Sequence, residues 1–163
     1  MKTILHWNKG FLNQDYKIYS NDTLVGTLKG QTWSRNAEAK INSRKLWFKV
    51  NGVFNQDIQI IDAENDLVIG TIKYNTWMTK ATIDYPGGVA NWKYNNFWCT
   101  KFCITDNEGK EINYHGSSSG GRIEFDNHND LMILSGLYLL NYYWQKSVTL
   151  LLVILLPVWI TIF

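Results

Sequence analysis

The end of this chain has almost no charge. Of its 16 basic and 14 acidic residues, only Lys146 lies beyond Asp130. That break separates a polar body from an apolar end, and the end itself divides at Gln145-Lys146-Ser147. Cysteine is scarce too, with only Cys99 and Cys103. They are four residues apart in a stretch that reads as strand, so their Cα atoms should lie about 13 Å apart. A disulfide needs less than about 7 Å, so free thiols are expected. No second Cys/His pair at ligand spacing completes a zinc site, and no metal or other cofactor is expected.

Catalytic signatures are missing as well. His6, His115 and His128 are scattered, and they read as surface or turn residues. His115-Gly116-Ser117-Ser118-Ser119-Gly120-Gly121 lacks the Gly-Lys-Ser/Thr ending of a phosphate loop and reads as an inter-strand connection. There is no Gly-x-Ser-x-Gly elbow and no helical carboxylate pair. No catalytic residue is nominated, and an enzyme is not expected. A net charge of +2 excludes an electrostatic case for nucleic acid. Met1 to Lys9 has no apolar signal-peptide core, so export by that route is not expected.

What is present is a repeat. Asn21-Asp22-Thr23-Leu24-Val25-Gly26-Thr27-Leu28-Lys29-Gly30-Gln31-Thr32-Trp33 returns, 44 residues later, as Asn65-Asp66-Leu67-Val68-Ile69-Gly70-Thr71-Ile72-Lys73-Tyr74-Asn75-Thr76-Trp77. A looser third turn is Asp106-Asn107-Glu108-Gly109-Lys110. A fixed period of this size means one supersecondary unit used more than once. The unit reads as strand, Asn-Asp turn, strand, Trp corner, strand. Ala37-Glu38-Ala39-Lys40-Ile41 and Arg122-Ile123-Glu124-Phe125-Asp126 alternate as half-buried strands do. Asn51-Gly52 signals a two-residue hairpin, and Pro86-Gly87-Gly88 another break. About eleven or twelve short strands are expected between Tyr16 and Phe125. Gly26 and Gly70, mid-strand in both copies, predict bulges or sharp bends.

The apolar end calls for two helices. Leu131 to Trp144 is apolar nearly all round, and Asn129 or Asp130 can cap its start. At about 1.5 Å per residue it reaches about 21 Å, short of a hydrocarbon core of about 30 Å. Enclosure by a closed barrel fits that length. The second block, 147–163, is free of charge and sits at the lower limit for a membrane span. Tyr142-Tyr143-Trp144 and Lys146 precede it as an aromatic and positive flank, which places the body on the cytoplasmic side. The reading is therefore a mainly β fold: a closed antiparallel barrel of about twelve strands around a buried hydrophobic helix (about 130–144), together 1–145. A terminal apolar helix at 147–163 follows as membrane anchor, the alternative being a second buried helix or a self-association surface.

A strand-rich body with this repeat, followed by Asp130-Leu131-Met132-Ile133-Leu134-Ser135-Gly136-Leu137-Tyr138-Leu139-Leu140, resembles the tubby C-terminal-like superfamily over about residues 10–145. That superfamily includes the LURP-one-related proteins and the phospholipid scramblases. The resemblance implies a twelve-stranded barrel wrapped around a hydrophobic C-terminal helix. It carries no functional residue by motif, and neither a palmitoylation cluster nor an acidic calcium loop of the scramblase kind is present.

One charge feature remains. Lys29 to Lys49 holds six bases against Glu38. Arg35, Lys40, Arg44 and Lys45 are the candidate contacts to anionic headgroups, each base near the surface adding about 1 kcal/mol, although an ordinary solvated strand face explains the same residues. The expected function is a non-enzymatic, membrane-tethered module that binds lipid headgroups or a protein partner. The alternative is a scramblase-like protein that moves phospholipids between leaflets.

Overall fold

The computed structural model describes residues 2–10, 15–31, 34–52, 57–75, 77, 79–117 and 119–160, with side chains as far as Gln145. Twelve strands close into one antiparallel barrel. In chain order they are β1 (Thr3–Lys9), β2 (Asp15–Ser20), β3 (Thr23–Gly30), β4 (Ala37–Ile41), β5 (Arg44–Asn51), β6 (Asp57–Asp62), β7 (Leu67–Tyr74), β8 (Lys80–Tyr85), β9 (Gly88–Tyr94), β10 (Lys101–Asp106), β11 (Glu111–Gly116) and β12 (Gly120–Phe125). Each strand pairs with its sequence neighbours, and β1 closes the ring on β12, with Thr3 opposite Phe125 and Asn8 opposite Gly120. One helix, α1 (Asp130–Ile160), follows β12.

Alternation decides which side chains fill the barrel. In β4, Ala37, Ala39 and Ile41 are buried while Glu38 and Lys40 face out. Ile18, Leu28, Phe48, Ile60, Ile72, Trp92 and Ile123 point inward in the same way. α1 threads this interior, and Leu131 through Tyr142 are buried without a break. Each Leu or Ile so enclosed contributes about 1.5–3 kcal/mol. Asn129 caps the helix, its Oδ1 accepting the Met132 N–H at 3.2 Å. Phe48 stacks on Tyr138 at 4.3 Å, and Tyr74 on Tyr142 at 4.9 Å.

The repeat is a real structural unit. In both copies the register slips beside the mid-strand glycine. Ile18 pairs with Gly26 but Tyr19 with Leu24, and Ile60 pairs with Gly70 but Ile61 with Val68. Val25 and Ile69 are therefore the extra, bulged residues. A Cβ on either glycine would meet a backbone oxygen at 2.6 Å, Lys40 O or Asp84 O. The turns match as well: Asp22 (φ 65°) and Asp66 (φ 58°) are left-handed, as is Gly109 (φ 78°) in the third turn.

Four expectations need correction. The expected count of about twelve strands holds, but the starting bound does not, because β1 lies before Tyr16 and closes the ring. Asn51 pairs with Asp57, so five residues join β5 to β6 rather than two. Within that connection 53–56 lie outside the described residues. Cys99 is not in a strand; it sits in the β9–β10 connection at φ 53°. Both cysteines are free thiols, as expected. Finally, the apolar end is one helix, not two. Nothing at Gln145-Lys146-Ser147 breaks an i→i−4 ladder, and the helix runs on to Ile160.

Candidate functional site

Antiparallel pairing gives the barrel two different ends. Its floor carries the β2–β3, β4–β5, β6–β7, β8–β9 and β10–β11 turns and the start of α1, where the Asn42 amide reaches Asp130 at 3.4 Å. The mouth carries the other connections, and α1 leaves through it. Strands of five to eight residues separate the two ends. The first fifteen residues of α1, about 22 Å long, match the depth that such strands allow.

At the mouth α1 is gripped by a collar of aromatic rings and hydroxyls. The Tyr74 hydroxyl donates to Leu139 O at 2.8 Å, and that of Tyr138 to Arg35 O at 3.1 Å. Tyr143 lies edge-on to Tyr94 at 5.1 Å, and its hydroxyl is 3.7 Å from Cys99 Sγ. Burial pushes the Tyr74 and Tyr138 hydroxyls well above the usual phenol range. Tyr142 is raised by burial too, with Arg35 opposing the shift through charge and a hydrogen bond.

The four candidate headgroup residues do not form one site. Lys40 and Lys45 face each other across β4–β5, and Arg44 lies opposite Ile41, all beside the Asn42-Ser43 turn at the floor. Arg35 is at the mouth, in the β3–β4 connection. The expected hairpin turn is there, but it carries only three of the four bases.

The floor also holds a cavity of about 250 Å³ lined by Tyr85, Asp106, Glu108, Lys110, His128 and Asn129, among others. Its polar groups engage one another. Asp106 Oδ1 accepts the Glu108 and Lys110 N–H groups at 2.9 and 2.8 Å, and Lys110 pairs with Glu108. His128 reaches Asp130 at 2.5 Å, a partnership two residues apart that the sequence reading overlooked. Among the described residues no group of three or more His, Cys, Asp or Glu side chains is placed to hold a metal ion.

Many outward strand positions are polar, including Glu38, Lys40, Lys73, Asp84 and Lys93. That is the reverse of a barrel whose strands face lipid. Among the described residues no helix is long and apolar enough to cross a membrane. The expected anchor, 147–163, lies where side chains are outside the described residues, as is the whole of 161–163. Sequence reasoning missed the exposed aromatics of the mouth. Trp77, Phe97 and Trp98 are 82, 90 and 78% exposed; Trp33, the other Trp corner of the repeat, lies outside the described residues. The signal was available as Asn-x-Trp-x-Thr-Lys, which occurs at 75–80 and again at 96–101. No protein-family model, no curated protein and no solved structure matches this chain.

Proposed function

We propose that this chain is a non-enzymatic β-barrel module tethered to a membrane by its C-terminal segment, meeting lipid headgroups or a membrane-held protein partner from the cytoplasmic side. One observation carries the reading. α1 leaves the barrel mouth and stays helical to Ile160, and the sequence beyond Lys146 has no charge. A charge-free helix projecting into water from a folded domain is costly, and a bilayer removes that cost. Lys146 at the junction favours the cytoplasmic side for the barrel. The tubby-like resemblance agrees with a membrane-associated barrel, as an analogy of fold only.

The scramblase-like alternative needs a polar path for headgroups across the bilayer. The barrel interior offers none, because α1 and inward-facing apolar side chains fill it. Alkaline extraction of membranes carrying the full-length protein tests the tether. The native chain is expected to stay in the membrane pellet, and Leu152→Arg/Leu155→Arg to be released, since each arginine adds about 2.5–3.5 kcal/mol at a helix centre. Release of both, or retention of both, contradicts the tether.

A further inference from the structure

The two ends of the barrel differ in what their loops expose. The floor turns at 21–22, 42–43, 63–66, 86–87 and 107–110 contain no aromatic residue. At the mouth, the β7–β8 and β9–β10 connections are neighbours on the rim, and both carry the same six-residue pattern. Asn75 Oδ1 accepts the Thr79 and Lys80 N–H groups at 2.9 and 3.0 Å, and its amide donates to Thr79 Oγ1 at 3.2 Å. Asn96 repeats this with Thr100 and Lys101 at 3.0 and 2.8 Å, and with Thr100 Oγ1 at 2.7 Å. The asparagine closes each loop and satisfies its backbone. The aromatic residues of these loops stand in solvent. Phe97 and Trp98 meet edge-on at 5.5 Å and bury little of each other. Other exposed apolar side chains, Leu24, the adjacent Leu67 and Val68, and Val89 among them, are strand residues only about half exposed.

Charge follows the same division. Lys9, Lys29, Lys49, Lys73 and Lys93 sit at the mouth ends of β1, β3, β5, β7 and β9. The acids at that end are Asp15, Glu38 and Asp57, whereas Asp22, Asp62, Asp66, Asp106 and Asp126 are among those near the floor. Between the two Trp loops, Lys80 lies directly opposite Lys93. Like charges so placed repel, and an anion between them relieves the repulsion. Lys73 completes an open groove with this pair, its own partner Asp57 standing 3.8 Å away at the surface.

We propose, building on the tether reading, that the mouth is itself a bilayer-docking surface: Trp77, Phe97 and Trp98 lie in the interface of an anionic membrane, with Lys73, Lys80 and Lys93 on headgroup phosphates. Continuity supports this. The charge-free segment after Lys146 is helical as far as the described residues reach, at Ile160. No non-helical linker separates it from the barrel, because α1 is unbroken from Asp130. A tether joined to the barrel without a flexible linker holds the mouth at the headgroups, the depth at which Trp rings settle. The barrel then stands on the bilayer instead of swinging from it.

The test reconstitutes the full-length protein in phosphatidylcholine–phosphatidylserine vesicles whose acyl chains carry bromine at a shallow or a deep position. Tryptophan quenching is compared between the native chain and Trp77→Phe/Trp98→Phe. Shallow bromines are expected to quench the native protein clearly more than the double variant, while deep bromines quench both alike. Lys80→Glu/Lys93→Glu should reduce the shallow quenching on these anionic vesicles. Vesicle-bound protein with equal shallow quenching in the native chain and Trp77→Phe/Trp98→Phe overturns the docking and leaves the tether standing. Protein that stays in solution overturns both.

Discussion

The Tyr114 ring fills the space that a side chain on Gly136 would need. A Cβ there would run into the Tyr114 ring and hydroxyl, and that hydroxyl donates to Met132 O at 2.9 Å on the same helix. The pair fixes both the depth and the rotation of α1 inside the barrel. Gly136→Ala gains about 1 kcal/mol of helix propensity but forces an overpacked contact worth about 1–3 kcal/mol. Net destabilisation is expected in denaturant unfolding. Tyr114→Phe, which only removes the hydroxyl, should cost about 1 kcal/mol. The double variant Gly136→Ala/Tyr114→Ala should lose less than the sum of its single changes, because the two residues share one space.

Gly26→Ala and Gly70→Ala should both destabilise, and by similar amounts. Each would put a methyl group against a backbone carbonyl, at Lys40 or Asp84, that cannot rotate away. Gly109→Ala meets nothing within 4 Å and pays only for its positive φ. Thermal unfolding of the three variants should place Gly109→Ala nearest the native protein.

Alkaline pH should unfold the barrel cooperatively. Burial holds the Tyr74, Tyr114 and Tyr138 hydroxyls well above the usual phenol value of 10. In the unfolded chain these phenols lose their protons near pH 10, while in the barrel they keep them. The stabilisation is therefore complete below pH 10 and is lost as pH rises above it, by up to about 1.4 kcal/mol per pH unit for each such tyrosine. Absorbance at 295 nm should show exposed tyrosines titrating first. The buried set should ionise only together with loss of far-ultraviolet β signal.

Headgroup contact should depend on which end of the barrel is altered. On anionic vesicles at low salt, Lys80→Glu/Lys93→Glu in the full chain should weaken the mouth's contact, and added salt should mimic it by screening. Lys40→Glu/Lys45→Glu, at the floor, should leave it unchanged, because those lysines are separated from the mouth by the length of β4. Salt-dependent shallow-lipid quenching of the tryptophans measures the difference.

Much of this fold was legible because it rests on periodicities of the sequence. The alternation of Ala37 to Ile41, the 44-residue repeat and the all-apolar Leu131 to Tyr142 each dictate one geometry, and each holds in the structure. Failures came where long-range pairing overrides a local signal. β1 is a strand because β12 needs a partner to close the ring, which Thr3 to Lys9 does not announce. Asn51-Gly52 is a strong local turn signal, yet the pairing of Asn51 with Asp57 sets a longer connection. The candidate site was less legible still. Arg35 and Lys40 are close in sequence, but a strand carries them to opposite ends. Lys80 and Lys93, thirteen positions apart, face each other only once β8 and β9 pair.

The most direct test of the account asks what surrounds the helix beyond the barrel. Single nitroxide labels at 148–158, placed one at a time in the full-length chain with Cys99 replaced by serine, report contact with oxygen or with a water-soluble nickel complex in vesicles. A tethered barrel predicts low nickel contact throughout, with oxygen contact rising from the mouth towards Leu155. High nickel contact along 148–158 would place this segment in water and contradict the account.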